Sequence, residues 1–170
     1  MKQDDQIQSL FQNQKWIEAR KLIQDELSRC PRSHWLLTRL STTYYEEKRY
    51  KKALATSKRA LKLDPQCPLI LWDYACVLDM VGQEKEAIAV WKKLLRRGER
   101  ALAFDNCGEG IRWARSLLND CRFRIGVSYL DRGKKTIGKQ YLIEHLRQRS
   151  PGLPSLYSMK DVREEMKRAK

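Results

Sequence analysis

Residues 34–67, HWLLTRLSTTYYEEKRYKKALATSKRALKLDPQC, have the pattern of two helices joined by a turn, and this pattern decides the fold. Leu37, Leu40 and Tyr44 follow the three- and four-residue spacing of an amphipathic helix. Pro65 follows the second helical stretch, where its missing amide proton removes no helical hydrogen bond. Because no stretch of strand length alternates between apolar and polar residues, the sequence predicts an all-α fold.

The same pattern recurs along the chain. Ala19, Ala53 and Ala87 are spaced 34 residues apart, and Pro31 and Pro65 are separated by the same interval. A fixed period of this length is typical of stacked helix pairs. Small residues also stand at the positions where paired helices would touch, namely Ser41, Ala53, Ala75 and Ala87. A larger side chain at such a position would overpack the contact at a cost of about 1–3 kcal/mol.

This arrangement resembles the tetratricopeptide repeat, a helix–turn–helix unit of 34 residues. The second unit matches best, through Leu37, Leu40, Ser41, Tyr44, Tyr50, Ala53, Ala60 and Pro65. The third unit matches through Leu71, Tyr74, Ala75, Leu78, Ala87 and Trp91. The first and last units match less completely, and Gly138 stands where the repeat usually has alanine.

The resemblance implies a right-handed α-solenoid of antiparallel helix pairs, forming one domain over residues 1–170. The expected units are about 1–33, 34–67, 68–101 and 119–152. Residues 99–118 are an insertion. We expect a helix stop at Gly98, a loop or short helix up to Gly108, and one long helix from near Gly110 to about Arg132.

The C-terminal residues 153–170 are expected to form a linker and a capping helix. Pro151, Gly152 and Pro154 indicate the turn, and Ser158 with Asp161 indicates a helix cap. Met159, Val162 and Met166 then form an apolar stripe that could cover the open end of the solenoid. The alternative is a mobile basic tail.

The composition is that of a folded chain, with 42% hydrophobic residues and only short apolar runs. Asp4 and Asp5 lie where a signal peptide would have a cationic flank. We therefore expect a soluble, cytoplasmic protein without a membrane span. The formal net charge is +14, and most of it is C-terminal: residues 1–91 carry 15 basic and 12 acidic side chains, whereas residues 92–170 carry 20 and 9.

The sequence offers no set of residues that would support catalysis, a metal site or a cofactor. The five cysteines form no CxxC pair, and the two histidines, His34 and His145, are far apart in the chain. The CGEG stretch at 107–110 lacks the spacing of a phosphate-binding loop. We therefore expect no enzymatic activity, no metal and no cofactor, with the cysteines as reduced structural thiols.

The resemblance instead implies protein binding, because in such proteins the first helices of successive units line a concave groove. The corresponding side chains, with the neighbouring Arg39, are Trp35, Thr38, Thr42 and Tyr45 in the second unit and Leu69, Trp72, Cys76 and Asp79 in the third. Trp35 and Trp72 are the expected anchors for a peptide or helix. The lysine and asparagines that bind chaperone tails in part of the family are replaced by Thr38, Thr42 and Asp73.

The basic C-terminal half favours an acidic protein partner, because a positive field steers polyanions. A secondary, anion-binding set is Arg112, Trp113, Arg115, Arg122 and Phe123. The alternative function is RNA or DNA binding, with arginines along phosphates and Trp113 or Phe123 stacking on bases. Self-association into a homodimer through the insertion or the C-terminal stripe is a third interpretation.

Overall fold

The computed structural model describes residues 3–149 and 152–169, and within them the chain forms nine α-helices and no β-strand. The all-α prediction is therefore confirmed. The chain divides into two compact units, Met1–Gly82 (unit 1) and Gln83–Lys170 (unit 2). Residues 1–2, 150–151 and 170, which include Pro151 of the predicted turn, lie outside the described residues. That one repeat domain spans the whole chain stays a prediction.

The helices are numbered in chain order, and the division into repeat units stays a prediction. They are α1 (Gln3–Gln12), α2 (Trp16–Arg29), α3 (His34–Glu46), α4 (Tyr50–Leu63), α5 (Pro68–Met80), α6 (Glu84–Ala103), α7 (Ile111–Asp131), α8 (Lys135–Gln148) and α9 (Met159–Arg168). None of the described helices combines the length and the apolar character that crossing a bilayer requires.

Unit 1 is built from α1 to α5, each packed on the next, and α3 also packs on α5. Its apolar interior includes the buried residues Ile7, Ile23, Leu36 and Leu40. Since consecutive helices pair and the first helices of neighbouring pairs touch, α3 and α5 lie side by side. This contact brings together the residues that the repeat pattern assigns to a binding surface.

The contact between α3 and α4 is tight because small residues form it. Ser41 and Ala53 are fully buried, and the Ser41 hydroxyl donates a hydrogen bond of 3.0 Å to the Ala53 carbonyl oxygen. The Ser57 hydroxyl is also buried and donates to the same carbonyl at 2.8 Å. Two hydroxyl donors thus converge on one backbone acceptor.

In unit 2, α6 packs on α7, α7 on α8, and α9 on both α8 and α7. Gly98 has a left-handed backbone (φ 77°) inside α6, and the chain resumes a helix up to Ala103. The predicted break at Gly98 followed by a short helix is therefore what the structure shows. The predicted long helix is α7, which continues through Gly126 without interruption.

The C-terminal segment is fixed on α7 by specific hydrogen bonds. The Asp120 carboxylate accepts hydrogen bonds from the Ser155 hydroxyl (2.5 Å) and the Leu156 amide (3.0 Å). Ser158 and Asp161 form the predicted capping box at the start of α9, and Val162 is buried in the core of unit 2. A packed C-terminal helix is therefore observed rather than a basic tail.

The contact between α7 and α8 explains why glycine stands at position 138. A Cβ atom on Gly138 would lie 2.8 Å from the Gly126 carbonyl oxygen and 2.7 Å from Leu130 Cδ2. The Leu130 side chain could shift, but a backbone oxygen in the middle of α7 cannot move without displacing the helix. Glycine at 138 is therefore required by the close approach of the two backbones.

We predict that Gly138→Ala lowers the free energy of unfolding by about 1–2 kcal/mol. The overpacking cost exceeds the gain in helix propensity, which is at most about 1 kcal/mol. The midpoint of urea unfolding checks this, with Gln140→Ala at an exposed position of α8 as the matched control. A Gly138→Ala variant as stable as the wild type would show that the helices can separate without cost.

Candidate protein-interaction surface

All the residues predicted to bind a partner lie on two adjacent helices of unit 1. Those on α3 are Trp35, Thr38, Arg39, Thr42 and Tyr45, and those on α5 are Leu69, Trp72, Cys76 and Asp79. Because α3 packs directly on α5, the repeat pattern has brought the two sets together. Whether they bind a partner stays a prediction.

The side chains differ in how much surface they offer. Trp35, Arg39 and Leu69 are partly exposed, whereas Thr38 and Trp72 are buried, with 5% and 8% of their surface accessible. The Thr38 hydroxyl donates to the His34 carbonyl oxygen at 2.8 Å. Trp72 was expected to be one of two anchors, but its ring is almost entirely covered. Trp35 is therefore the tryptophan of this surface that a partner can reach.

Trp35 is part of a group that we call the aromatic–arginine cluster, formed by Phe11, Trp35 and Arg39. The Arg39 guanidinium carbon lies 5.4 Å from the centre of the Trp35 ring and 5.6 Å from the centre of the Phe11 ring. Trp35 and Arg39 are four residues apart on α3 and so share one face of it. The arginine is held between two rings by cation–π attraction.

Phe11 was missed by the sequence analysis, which assigned no binding residue to the first helix. Its ring is partly exposed and packs edge-on against Trp16 with centroids 5.3 Å apart. The available signal was its spacing, since Phe11 comes four residues after the buried Ile7. A residue one turn beyond a core position lies on the edge of the apolar stripe, where it can contact the next helix pair.

Asp73 on α5 joins α3 through a hydrogen bond of 2.8 Å between its carboxyl group and the Thr42 hydroxyl. Burial raises the pKa of Asp73 to about 6, and nearby Glu46 adds to this, whereas the Thr42 bond and the Arg39 charge act in the opposite direction. Thr42 Oγ1 also lies 3.1 Å from the Thr38 carbonyl oxygen. The Thr42 hydroxyl has one proton, so its donation to the Asp73 carboxylate and its donation to the Thr38 carbonyl oxygen are alternatives.

The secondary set predicted for anion binding lies on α7 in unit 2. Arg112 and Arg115 are exposed; Arg112 donates to the Gly152 carbonyl oxygen, and Arg115 forms an ion pair of 2.9 Å with Glu99. Phe123 is only 4% exposed, and its ring stacks on Tyr157 at 4.0 Å. Phe123 therefore belongs to the interior of unit 2, because it fills the space beneath the C-terminal segment.

We predict that Asp73→Asn stabilises the protein above pH 6 and removes part of its pH dependence. The folded-state pKa lies above the unfolded value, so the contribution of Asp73 to wild-type stability is most favourable below about pH 4 and is lost as the pH rises through about 6. The stability lost is on the order of 1–3 kcal/mol at pH 7.

Urea unfolding between pH 4 and 7.5 measures this effect, and the exposed Asp25→Asn in α2 is the matched control. If the difference in unfolding free energy between Asp73→Asn and the wild type stays constant over that range, the carboxyl group at 73 does not titrate as described.

The comparisons with known proteins agree with this architecture. No family model and no curated protein sequence matches the chain. Among solved structures, the thermophilic TPR protein TTC0263 of Thermus thermophilus matches with a TM-score of 0.62 and 19% identity, covering 96% of this chain and 77% of that one.

Two further solved structures match less well. YrrB, described as a TPR protein with an unusual peptide-binding site, has a TM-score of 0.48 and 14% identity, covering 86% of this chain and 84% of that one. Naa15/Naa10 bound to HypK-THB has a TM-score of 0.49 and 13% identity, covering 91% of this chain and 26% of the matched one. With its consecutive helix pairs and its likeness to TTC0263, the chain has the fold of the tetratricopeptide repeat proteins.

Proposed function

We propose that the chain is a non-enzymatic protein-interaction module and that unit 1 binds a peptide or helix of a partner protein. The observation that carries this proposal is the aromatic–arginine cluster of Phe11, Trp35 and Arg39, which is partly exposed beside the α3–α5 contact. Tryptophan and arginine are the residue types that contribute most often to binding energy at protein interfaces.

The cluster is suited to binding because its side chains already contact one another. An arginine that loses rotamer freedom when a partner binds costs about 0.5–1.5 kcal/mol. Contact with the two rings, at 5.4 and 5.6 Å from their centres, reduces the freedom that Arg39 has left to lose. A partner therefore meets a surface with two apolar rings and one positive charge.

The charge of the whole chain favours an acidic partner. A formal charge of +14 accelerates encounter with a polyanion, and the effect weakens as salt screens it. The α3–α5 surface itself carries both signs, because the Asp73 carboxyl group lies within electrostatic reach of both Arg39 and Glu46. We therefore infer that the net charge steers an acidic partner, while ring contacts on unit 1 determine which segment of it is bound.

We predict that Trp35→Ala and Arg39→Ala each weaken capture of native partners from the source cell about 5- to 30-fold, as loss of a 1–2 kcal/mol contact would. Ile17→Ala is the matched control, because Ile17 is 70% exposed on α2 and lies outside the cluster. Quantitative affinity capture followed by binding of the mapped partner segment measures the effect, with helical content checked by circular dichroism.

Trp72→Ala should behave differently from Trp35→Ala, since Trp72 is buried. Its truncation should lower unfolding stability by about 3–5 kcal/mol through the cavity that it leaves. If folded Trp35→Ala and Arg39→Ala capture partners as well as the Ile17→Ala control does, the cluster is not the binding site.

Nucleic-acid binding is the competing proposal, and burial of Phe123 removes one of the two rings assigned to base stacking. Exposed arginines and lysines on α7 and α8 still offer positive charges that could contact phosphates. We predict no sequence-independent binding of RNA or DNA oligonucleotides at about 150 mM salt by fluorescence anisotropy. Tight binding there, with an affinity that falls steeply as salt increases, would favour nucleic acid as the partner.

A further inference from the structure

Three helix ends meet on one side of unit 1. Helix α3 begins at His34, Asp64 follows the last residue of α4, and Cys67 precedes the first residue of α5. The connection between α3 and α4 is short, so these two helices run in opposite directions and the start of α3 lies beside the end of α4. Only two residues separate Asp64 from Cys67, so these two side chains lie close together. Because the start of α3 lies beside the end of α4, His34 lies close to both.

The atoms that could bind a metal ion are close in space. An imidazole nitrogen of His34, a carboxylate oxygen of Asp64 and the Cys67 sulfur all lie within 4.8 Å of one another. Around a tetrahedral zinc ion with bonds of about 2.0–2.3 Å, donor atoms are roughly 3.3–3.8 Å apart. Small rotations of the side chains would therefore bring these atoms to bonding distance.

Two of the three side chains are already positioned by their backbone surroundings. Asp64 Oδ1 accepts hydrogen bonds of 3.0 Å from the amides of both Gln66 and Cys67, and these two bonds do not involve Oδ2. Cys67 is 1% exposed and stands at the N-cap of α5, so its sulfur is held at the start of that helix.

We propose that His34, Asp64 and Cys67 form a site for a divalent transition-metal ion, with Zn²⁺ as the fitting ion. Nitrogen, sulfur and oxygen are the three donor types that zinc accepts, whereas Mg²⁺ and Ca²⁺ require oxygen ligands. Water or another donor takes the fourth position. The bound ion links the start of α3, the end of α4 and the start of α5, and so stabilises unit 1.

The proposed site departs from the expectation from the sequence, which was that the chain binds no metal. That expectation rested on the missing CxxC pair and on the distance between His34 and His145. The proposed ligands follow a different spacing, since Asp64 comes 30 positions after His34 and Cys67 comes three positions after Asp64. The helix pair itself brings the first ligand to the other two.

Cobalt provides a direct test, because Co²⁺ replaces zinc and reports its ligands by absorption. We expect the full chain, kept reduced with a phosphine, to take up one equivalent of Co²⁺, with visible bands of tetrahedral geometry and a near-ultraviolet thiolate-to-cobalt band. Added Zn²⁺ should abolish both signals by displacing the cobalt. The thermal unfolding midpoint should also rise when Zn²⁺ is added to the metal-free chain.

The variants identify the ligands. Cys67→Ser should lose the thiolate-to-cobalt band, while Cys30→Ser, at an exposed cysteine of the same unit, should keep it. Asp64→Asn and His34→Gln should each weaken Co²⁺ binding at least about tenfold. Asp64→Asn keeps a side-chain oxygen to accept the two amide hydrogen bonds, so it remains informative if Cys67→Ser does not fold.

Two results would overturn the proposal. One is a wild-type chain without a thiolate-to-cobalt band in the presence of excess Co²⁺. The other is unchanged Co²⁺ binding by folded Cys67→Ser or by folded Asp64→Asn.

Discussion

The structure depends on how closely the paired helices approach, and small residues set that distance. In unit 1, Ser41 and Ala53 allow α3 and α4 to meet, and a hydroxyl-to-carbonyl bond joins the two helices. In unit 2, Gly126 and Gly138 do the same for α7 and α8 with even less side-chain volume. Gly138 departs from the repeat pattern, which usually has alanine at this position. It still meets the need for a small residue at the helix contact, and it does so where the two helices approach more closely.

Close packing also places polar side chains in the interior, where each needs a partner. Arg20 is buried and contacts both Glu47, at 2.5 Å, and the Thr43 hydroxyl, which ties α2 to α3. His145 is fully buried in unit 2, with its Nδ1 atom 2.9 Å from the Asn119 carbonyl oxygen, and burial lowers the pKa of its ring. A neutral imidazole therefore joins α7 to α8, and these bonds fix which helix faces meet.

The sequence was sufficient to predict the helices, because periodicity and capping are local properties. It located the small residues at 41 and 53, the long helix α7 and the capping box at Ser158. It could not show which of Trp35 and Trp72 is exposed. Both stand at repeat positions that line the predicted groove, and the exposure of each ring depends on distant parts of the chain. For the same reason Phe11 was missed, and Phe123 was assigned to a surface although Tyr157 covers it.

Some of the residues that join neighbouring helices in this fold are about one repeat apart in the sequence. Thr42 and Asp73, which join α3 to α5, are 31 residues apart, and Lys92 and Tyr129, which join α6 to α7, are 37 apart. Contacts about one repeat apart therefore occur beside shorter ones, such as Ser41 with Ala53, which are 12 residues apart, and Asn119 with His145, which are 26 apart. Motif searches that look for ligands or binding groups within a few residues of each other miss this class of neighbours. A search for functional groups in such a chain should therefore compare positions separated by about the length of one helix pair.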